Sequence, residues 1–167
     1  MANSLRIICI CSGNICRSPM AVAYLRHHFS TVPQEAVVIS GGTLGIQGRR
    51  ADPLARQVVR RANPGAADII DQHRSQGLNP AMVQRADRLV VMAPRHRRFL
   101  EERTPQCLPK VVPLWEYVER RPPLDAIPDP VGHDLGVFAR CYDLIAEGLD
   151  AWLHDLLTHH SPKAHNP

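Results

Sequence analysis

Hydrophobic positions along this chain change period several times, and each change marks an element. Leu5-Arg6-Ile7-Ile8-Cys9-Ile10 is a short apolar run rich in β-branched residues and predicts a buried strand. Cys11 to Ser18 is polar and holds Gly13 and Asn14, two residue types that tolerate positive φ. Ser18-Pro19 then predicts a helix start, with serine as N-cap and proline at the first helical position. Met20, Ala21, Tyr24, Leu25 and Phe29 form its expected buried face. Ala36-Val37-Val38-Ile39-Ser40 predicts a second strand, followed by a loop with Gly41, Gly42 and Gly45. Asp52-Pro53 repeats the cap-and-proline signal, and Leu54, Ala55, Val58 and Val59 follow at helical spacing. From Asn63 to Asn79 the pattern is weak, with one apolar patch at Ile69-Ile70.

Pro80 opens a short helix through Ala86. Arg88-Leu89-Val90-Val91-Met92 predicts a third strand, Pro94 to Glu102 a helix, and Lys110 to Leu114 a fourth strand. Pro122, Pro123, Pro128 and Pro130 fix a long irregular loop. The last helix is expected from about Asp134, its N-cap, to His159. Leu135, Phe138, Tyr142, Ile145, Leu149, Leu153 and Leu156 recur there at three and four residues, which is a core-facing stripe. Strands alternating with helices imply parallel pairing with right-handed crossovers. The expected fold is therefore α/β: a doubly wound, four-stranded parallel sheet with helices on both faces. Ligands in such sheets bind beyond the carboxyl ends of the strands, where the loop after the first strand lies. No repeat or linker divides the chain, so residues 1–160 are expected as a single domain and 161–167 as a frayed tail.

Composition narrows the classes. The 167 residues are 44% apolar and 22% charged, which is ordinary globular usage and excludes wholesale disorder. No run approaches the roughly 18 apolar residues of a membrane span, and no secretory signal is evident. The net charge is +4, with twenty basic residues against sixteen acidic. That balance fits an anionic substrate, while the absence of a basic run interleaved with aromatics speaks against nucleic acid. Arg95-His96-Arg97-Arg98, the densest basic stretch, reads as the solvated face of a helix. Cys9, Cys11 and Cys16, three of five cysteines, fall within eight residues. A disulfide framework spreads its cysteines, so the clustering points to a reducing, cytoplasmic compartment and to chemistry at one spot.

The decisive segment is Cys11-Ser12-Gly13-Asn14-Ile15-Cys16-Arg17-Ser18-Pro19. It puts a cysteine, five residues, an arginine and a serine between a strand and a helix start. Inward-pointing amides of a tight loop form an anion nest, and the helix start adds its positive dipole end. Arg17 can fork two N–H groups onto two phosphate oxygens. Cys11 then sits at the base of the cradle, in surroundings that favour a thiolate. Ser12, Gly13, Asn14, Ile15, Cys16, Arg17 and Ser18 are the expected phosphate-binding residues. Cys9 alternates with Cys11 along the strand and reads as a small buried hydrophobe. A zinc site built from Cys9, Cys11, Cys16 and His27 or His28 matches no common ligand spacing, so no metal and no cofactor are expected.

These residues resemble the signature of the low-molecular-weight protein tyrosine phosphatases, which runs cysteine-x-glycine-asparagine-x-cysteine-arginine-serine-proline. Ser40-Gly41-Gly42-Thr43 resembles that family's turn after the second strand, His73-Arg74-Ser75 its histidine segment, and Asp129-Pro130 its aspartate-proline pair before the last helix. The resemblance covers about residues 5 to 158. It implies a metal-independent phosphomonoester hydrolase working through a phosphocysteine intermediate, with Cys11 as nucleophile, Arg17 as phosphate clamp and Asp129 as general acid. It also implies that Ser18 bonds the sulfur, that Asn14 holds the loop's curl, that His73 braces Asn14, and that Cys16 traps oxidised Cys11. On spacing alone Asp129 reads as a turn aspartate and Cys16 as a small residue filling the loop.

The substrate side departs from the resemblance. Val131-Gly132-His133 stands where tyrosine-directed members carry aromatics, and Ile46 stands at the other wall of the pocket, with His133 as a partial substitute. The expected substrate is a phosphorylated protein, phosphotyrosine first, or a small phosphomonoester. Ile15 lowers the rank of phosphoarginine, and a weakly active phosphate-dependent binding module is the alternative from another class. Arsenate reduction is disfavoured, because residues 80 to 106 hold no cysteine and Cys107 and Cys141 stand elsewhere. No oligomeric signal is present, and a monomer is favoured.

Overall fold

The structure is a computed structural model that describes residues 4–120 and 124–159. The tail expected at 161–167, and Pro122 and Pro123, lie outside the described residues.

Four strands form the sheet: β1 (Leu5–Cys11), β2 (Ala36–Gly42), β3 (Arg88–Val91) and β4 (Val111–Pro113). All neighbouring pairs are parallel, in the order β2-β1-β3-β4. β1 is central, and its residues Ile7 to Cys11 are buried, as expected for a strand covered on both faces. The connection from β1 runs out to β2 and the chain then returns to β3 on the other flank of β1. That reversal makes the carboxyl end of β1 a topological switch point, where ligands of such sheets bind.

Among the described residues, six α-helices connect and flank the strands: α1 (Arg17–Ser30), α2 (Pro53–Ala62), α3 (Ala67–Asp71), α4 (Pro80–Arg85), α5 (Pro94–Arg103) and α6 (Leu135–His159). Helices α1, α2, α3 and α6 pack on one another, while α5 packs against β3 and β4. The expected α6 stripe is the core: Phe138, Tyr142, Ile145, Leu149 and Leu153 are buried, joined by Cys141 and Trp152. Asp134 accepts from the Val137 amide at 3.0 Å, and Asp52 accepts from the Leu54 amide at 2.8 Å, as their cap signals predict.

Two expectations are corrected, and one weakly patterned stretch takes shape. Helix α1 begins at Arg17, with Cys16 at the cap position, so Ser18 lies inside the helix and is not its N-cap. Its hydroxyl is engaged instead by the Cys11 sulfur at 3.0 Å and by Asn14 Nδ2 at 2.8 Å. The weak stretch from Asn63 to Asn79 contains a 3-10 turn (Pro64–Ala66), the short α3 and a parallel bridge between Gly42 and Gly77. Finally, the basic run at α5 is not uniformly solvated. His96 is fully buried, and Arg95 points at the loop after β1.

Candidate active site

Everything expected of the loop after β1 converges at the end of the central strand. Residues 12–16 curl between β1 and α1, and Asn14 adopts φ 55° to make the turn. Asparagine is among the few side chains that occupy this region readily. Its side chain and carbonyl are then fully used. Nδ2 donates to Ser18 Oγ at 2.8 Å, Oδ1 accepts from the Gln76 amide at 2.9 Å, and the carbonyl bonds His73 Nε2 at 2.7 Å. Burial holds the His73 ring below its ordinary value, reinforced by Arg26 and Arg74 and opposed by that bond, so the neutral ring donates from Nε2 to the carbonyl. His73 and Asn14, paired in the sequence only by resemblance, are thus in direct contact.

The curl leaves the amides of Gly13, Asn14, Ile15 and Cys16 without an acceptor among the described residues. Gly13, Ile15 and Cys16 line a cavity of about 370 Å³ together with Arg17. Such a nest, at the first turn of a 14-residue helix, is an anion site. Arg17 is 2% exposed, yet its Nε has no partner among the described residues. Its Nη1 donates to the Ile127 carbonyl at 3.1 Å and its Nη2 to Asp129 Oδ2 at 2.5 Å. A buried guanidinium with an unused donor beside a set of free amides is built for a tetrahedral oxyanion.

The cysteines divide into two kinds. Burial pushes the thiols of Cys9, Cys16 and Cys141 up, Cys141 to about 12, and Asp52, Cys11 and Asp129 add to the effect at Cys16. These three stay protonated at neutral pH. Cys11 alone has its sulfur on the Ser18 hydroxyl at the base of the loop. All five cysteines are unpaired, Cys11 and Cys16 included.

Asp129 comes from the segment before α6 and reaches the loop through Arg17. That segment is pinned by the Ile127 amide on the Met92 carbonyl at 2.8 Å, at the end of β3. Ile15, Ile46, Leu44 and Val131 line the cavity, with Arg49 and Asp52 at its side. Leu44 and Val131 are 68% and 63% exposed, so the two apolar lips stand in solvent. His133 is exposed beyond the turn and does not line the cavity. Among the described residues, no group of three or more His, Cys, Asp or Glu could hold a metal ion, and no helix is long and apolar enough to cross a membrane.

Three participants escaped the sequence reading. Ser12 Oγ lies 3.0 Å from His96 Nε2 and accepts from Arg95 Nε at 3.2 Å, and Arg95 Nη2 reaches Asp129 Oδ2 at 3.2 Å. Burial, with Arg17 and Arg95 nearby, pushes His96 down to about 3, so its ring is neutral. Leu44 is the third, and its exposure gives no periodic signal.

The comparisons with known proteins agree with this geometry. The sequence profile of the family described as "Low molecular weight phosphotyrosine protein phosphatase" matches residues 6–161. A probable low molecular weight protein-tyrosine-phosphatase, EpsP of Ralstonia nicotianae, is 37% identical over 147 residues, covering 88% of this chain and 92% of the relative. The low molecular weight protein-tyrosine-phosphatase Ptp of Acinetobacter johnsonii is 30% identical, covering 87% of this chain and 94% of the relative. Among solved structures, the YwlE arginine phosphatase from Geobacillus stearothermophilus superposes with a TM-score of 0.80 at 27% identity, covering 98% of this chain and 99% of that one. On its sequence, its fold and the loop that both build, the chain belongs to the low molecular weight phosphotyrosine protein phosphatase family.

Proposed function

We propose that this protein hydrolyses phosphomonoesters on proteins, phosphotyrosine foremost, through a phosphocysteine formed at Cys11. The observation that carries the reading is the loop itself: unpaired amides among the described residues, an arginine with a free buried donor, and the Cys11 sulfur held by Ser18 at the loop's start. The dianionic phosphate seats on the amides of residues 12–17 and on Arg17. The Cys11 thiolate attacks phosphorus in line, an S–P bond forms, and the bond to the leaving oxygen breaks. Asp129 gives that oxygen its proton. Asp129 then takes a proton from water as the water attacks phosphorus, the S–P bond breaks, and inorganic phosphate leaves. The loop amides and Arg17 hold the equatorial oxygens through both steps. Ser18, donating to the sulfur, stabilises it as a leaving group in the second step.

The cavity favours an aryl ester by its apolar lips, Leu44, Ile46 and Val131. Among the described residues no aromatic side chain lines it, so the ring is held by aliphatic contact. Stacking contributes about 0.5–1.5 kcal/mol beyond burial, and its loss weakens the tyrosine preference correspondingly. Ile15, whose Cδ1 lies near that of Ile46 over Gly13, keeps the floor apolar and disfavours the cationic guanidinium of phosphoarginine. Cys16 serves as the reversible partner of oxidised Cys11, in a reducing compartment such as the cytoplasm. The protein acts as a monomer, and its described residues as one folded unit, the latter supported by a single buried cluster that runs from Ile7 to Leu153.

A panel of matched peptides carrying phosphotyrosine, phosphoserine or phosphoarginine, assayed for released phosphate with and without chelator, tests this reading. Phosphotyrosine is expected to turn over fastest, by about tenfold or more, and chelator to change nothing. Equal rates on all three peptides contradict the substrate assignment.

A further inference from the structure

We propose that Arg95 is a positioning residue for the general acid, holding Asp129 by one oxygen while the phosphate draws Arg17 away. This rests on the reading of Asp129 as the acid. The two oxygens of Asp129 are treated differently. Oδ2 takes both cations, Arg17 Nη2 at 2.5 Å and Arg95 Nη2 at 3.2 Å. Oδ1 receives a single long contact among the described residues, the Val131 amide at 3.4 Å. Oδ1 is therefore the oxygen free to carry a proton toward a leaving group.

A seated phosphate competes with Asp129 for Arg17, even though Nη2 carries two N–H groups. Its Nη1 is committed to the Ile127 carbonyl. The edge left for a bidentate grip on phosphate is Nε with Nη2, and Nη2 is the atom now on Asp129. A seated phosphate competes for that atom with two negative charges against one. Once it prevails, Arg95 is the remaining side chain on Asp129.

Arg95 is suited to stay. Its Nε donates to Ser12 Oγ at 3.2 Å, and Ser12 Oγ is 3.0 Å from the ring of His96, which is fully buried on the same helix. The guanidinium is thus anchored to the loop side independently of Asp129. It is also 56% exposed, so its own charge stays hydrated and adjusts at little cost as Asp129 moves. The result is a carboxylate tethered at Oδ2 with Oδ1 turned to the leaving oxygen.

The test compares kcat/KM for p-nitrophenyl phosphate, whose leaving group departs readily as an anion, with phenyl phosphate, whose leaving group needs a proton. Asp129→Asn is expected to widen the ratio of the two by about a hundredfold or more. Arg95→Met is expected to widen the same ratio by about tenfold, and Arg95→Lys by less. The double variant is expected to match Asp129→Asn alone, because both changes act through one proton. Equal loss of both substrates in Arg95→Met, an unchanged ratio, or an additive double variant overturns the proposal while leaving Asp129 in its role. If Asp129→Asn itself leaves the ratio unchanged, the acid assignment fails, and this proposal fails with it.

Discussion

At the scale of single residues, the site depends on buried side chains that hold the loop. Asn14 spends its side chain and its carbonyl on keeping a left-handed turn, and Ser18, inside α1, holds the sulfur. His96 shows what burial does to stability. Its ring is buried, neutral and held down to about 3, against an ordinary value of 6.5. Between those values the unfolded chain binds a proton that the fold refuses. The fold therefore has the full benefit of His96 above about 6.5 and loses it progressively as pH falls toward about 3, by up to about 1.4 kcal/mol per pH unit. Denaturant unfolding at pH 7.5 and pH 5 is expected to show a smaller pH dependence in His96→Asn than in the parent protein; identical pH dependence contradicts the assignment. This residue was misread from sequence for a physical reason. A run of four basic residues on a helix shows its charge but not which one meets the sheet, and the partner that decides it, Ser12, lies 84 positions away.

At the scale of elements, the unit that matters is β1, the curl and α1, with β2 as its neighbour. A Cβ on Gly42, at the end of β2, would stand 2.7 Å from the Ser12 carbonyl and 3.1 Å from the Asn14 amide. Both are loop backbone, so the curl must shift to admit it. Gly41 is a contrasting neighbour: its added Cβ would first meet the end of the Leu78 side chain at 2.7 Å, which can rotate. Gly42→Ala is expected to cut kcat/KM by about a hundredfold through loop displacement, and Gly41→Ala by far less, with both proteins folded by circular dichroism. Equal effects contradict the close approach. The elements legible in the sequence carry local signals: the β-branched run of β1, the Asp52-Pro53 cap, and the α6 stripe. Asn63 to Asn79 carries little, because its conformation is set by distant bonds. His73 and Gln76 are held by Asn14, and Gly77 pairs with Gly42. The same holds for the start of α1, which a serine-proline pair placed two residues late.

At the scale of the whole molecule, strand order explains why so short a motif suffices. With β1 central and the crossovers diverging on either side of it, the β1 loop opens into a crevice that β3 and the segment before α6 complete. Asp129, Arg95 and Val131 arrive there from parts of the chain 79 or more residues beyond the loop's last residue, Cys16. Cys11 and Arg17, the proposed nucleophile and phosphate clamp, were legible because they share nine consecutive residues. Asp129, the proposed acid, was reached only through family resemblance, and its arginine partner Arg95 not at all, because long-range contacts leave no local pattern. The claim on which the rest depends is covalent: phosphorus is transferred to Cys11 before it reaches water. The most direct measurement is acid quenching during turnover of radiolabelled p-nitrophenyl phosphate, followed by peptide mapping. Acid-trapped label is expected on the peptide containing Cys11, with turnover lost in Cys11→Ser. An unlabelled protein, or a Cys11→Ser variant that still turns over at the parent rate, contradicts it.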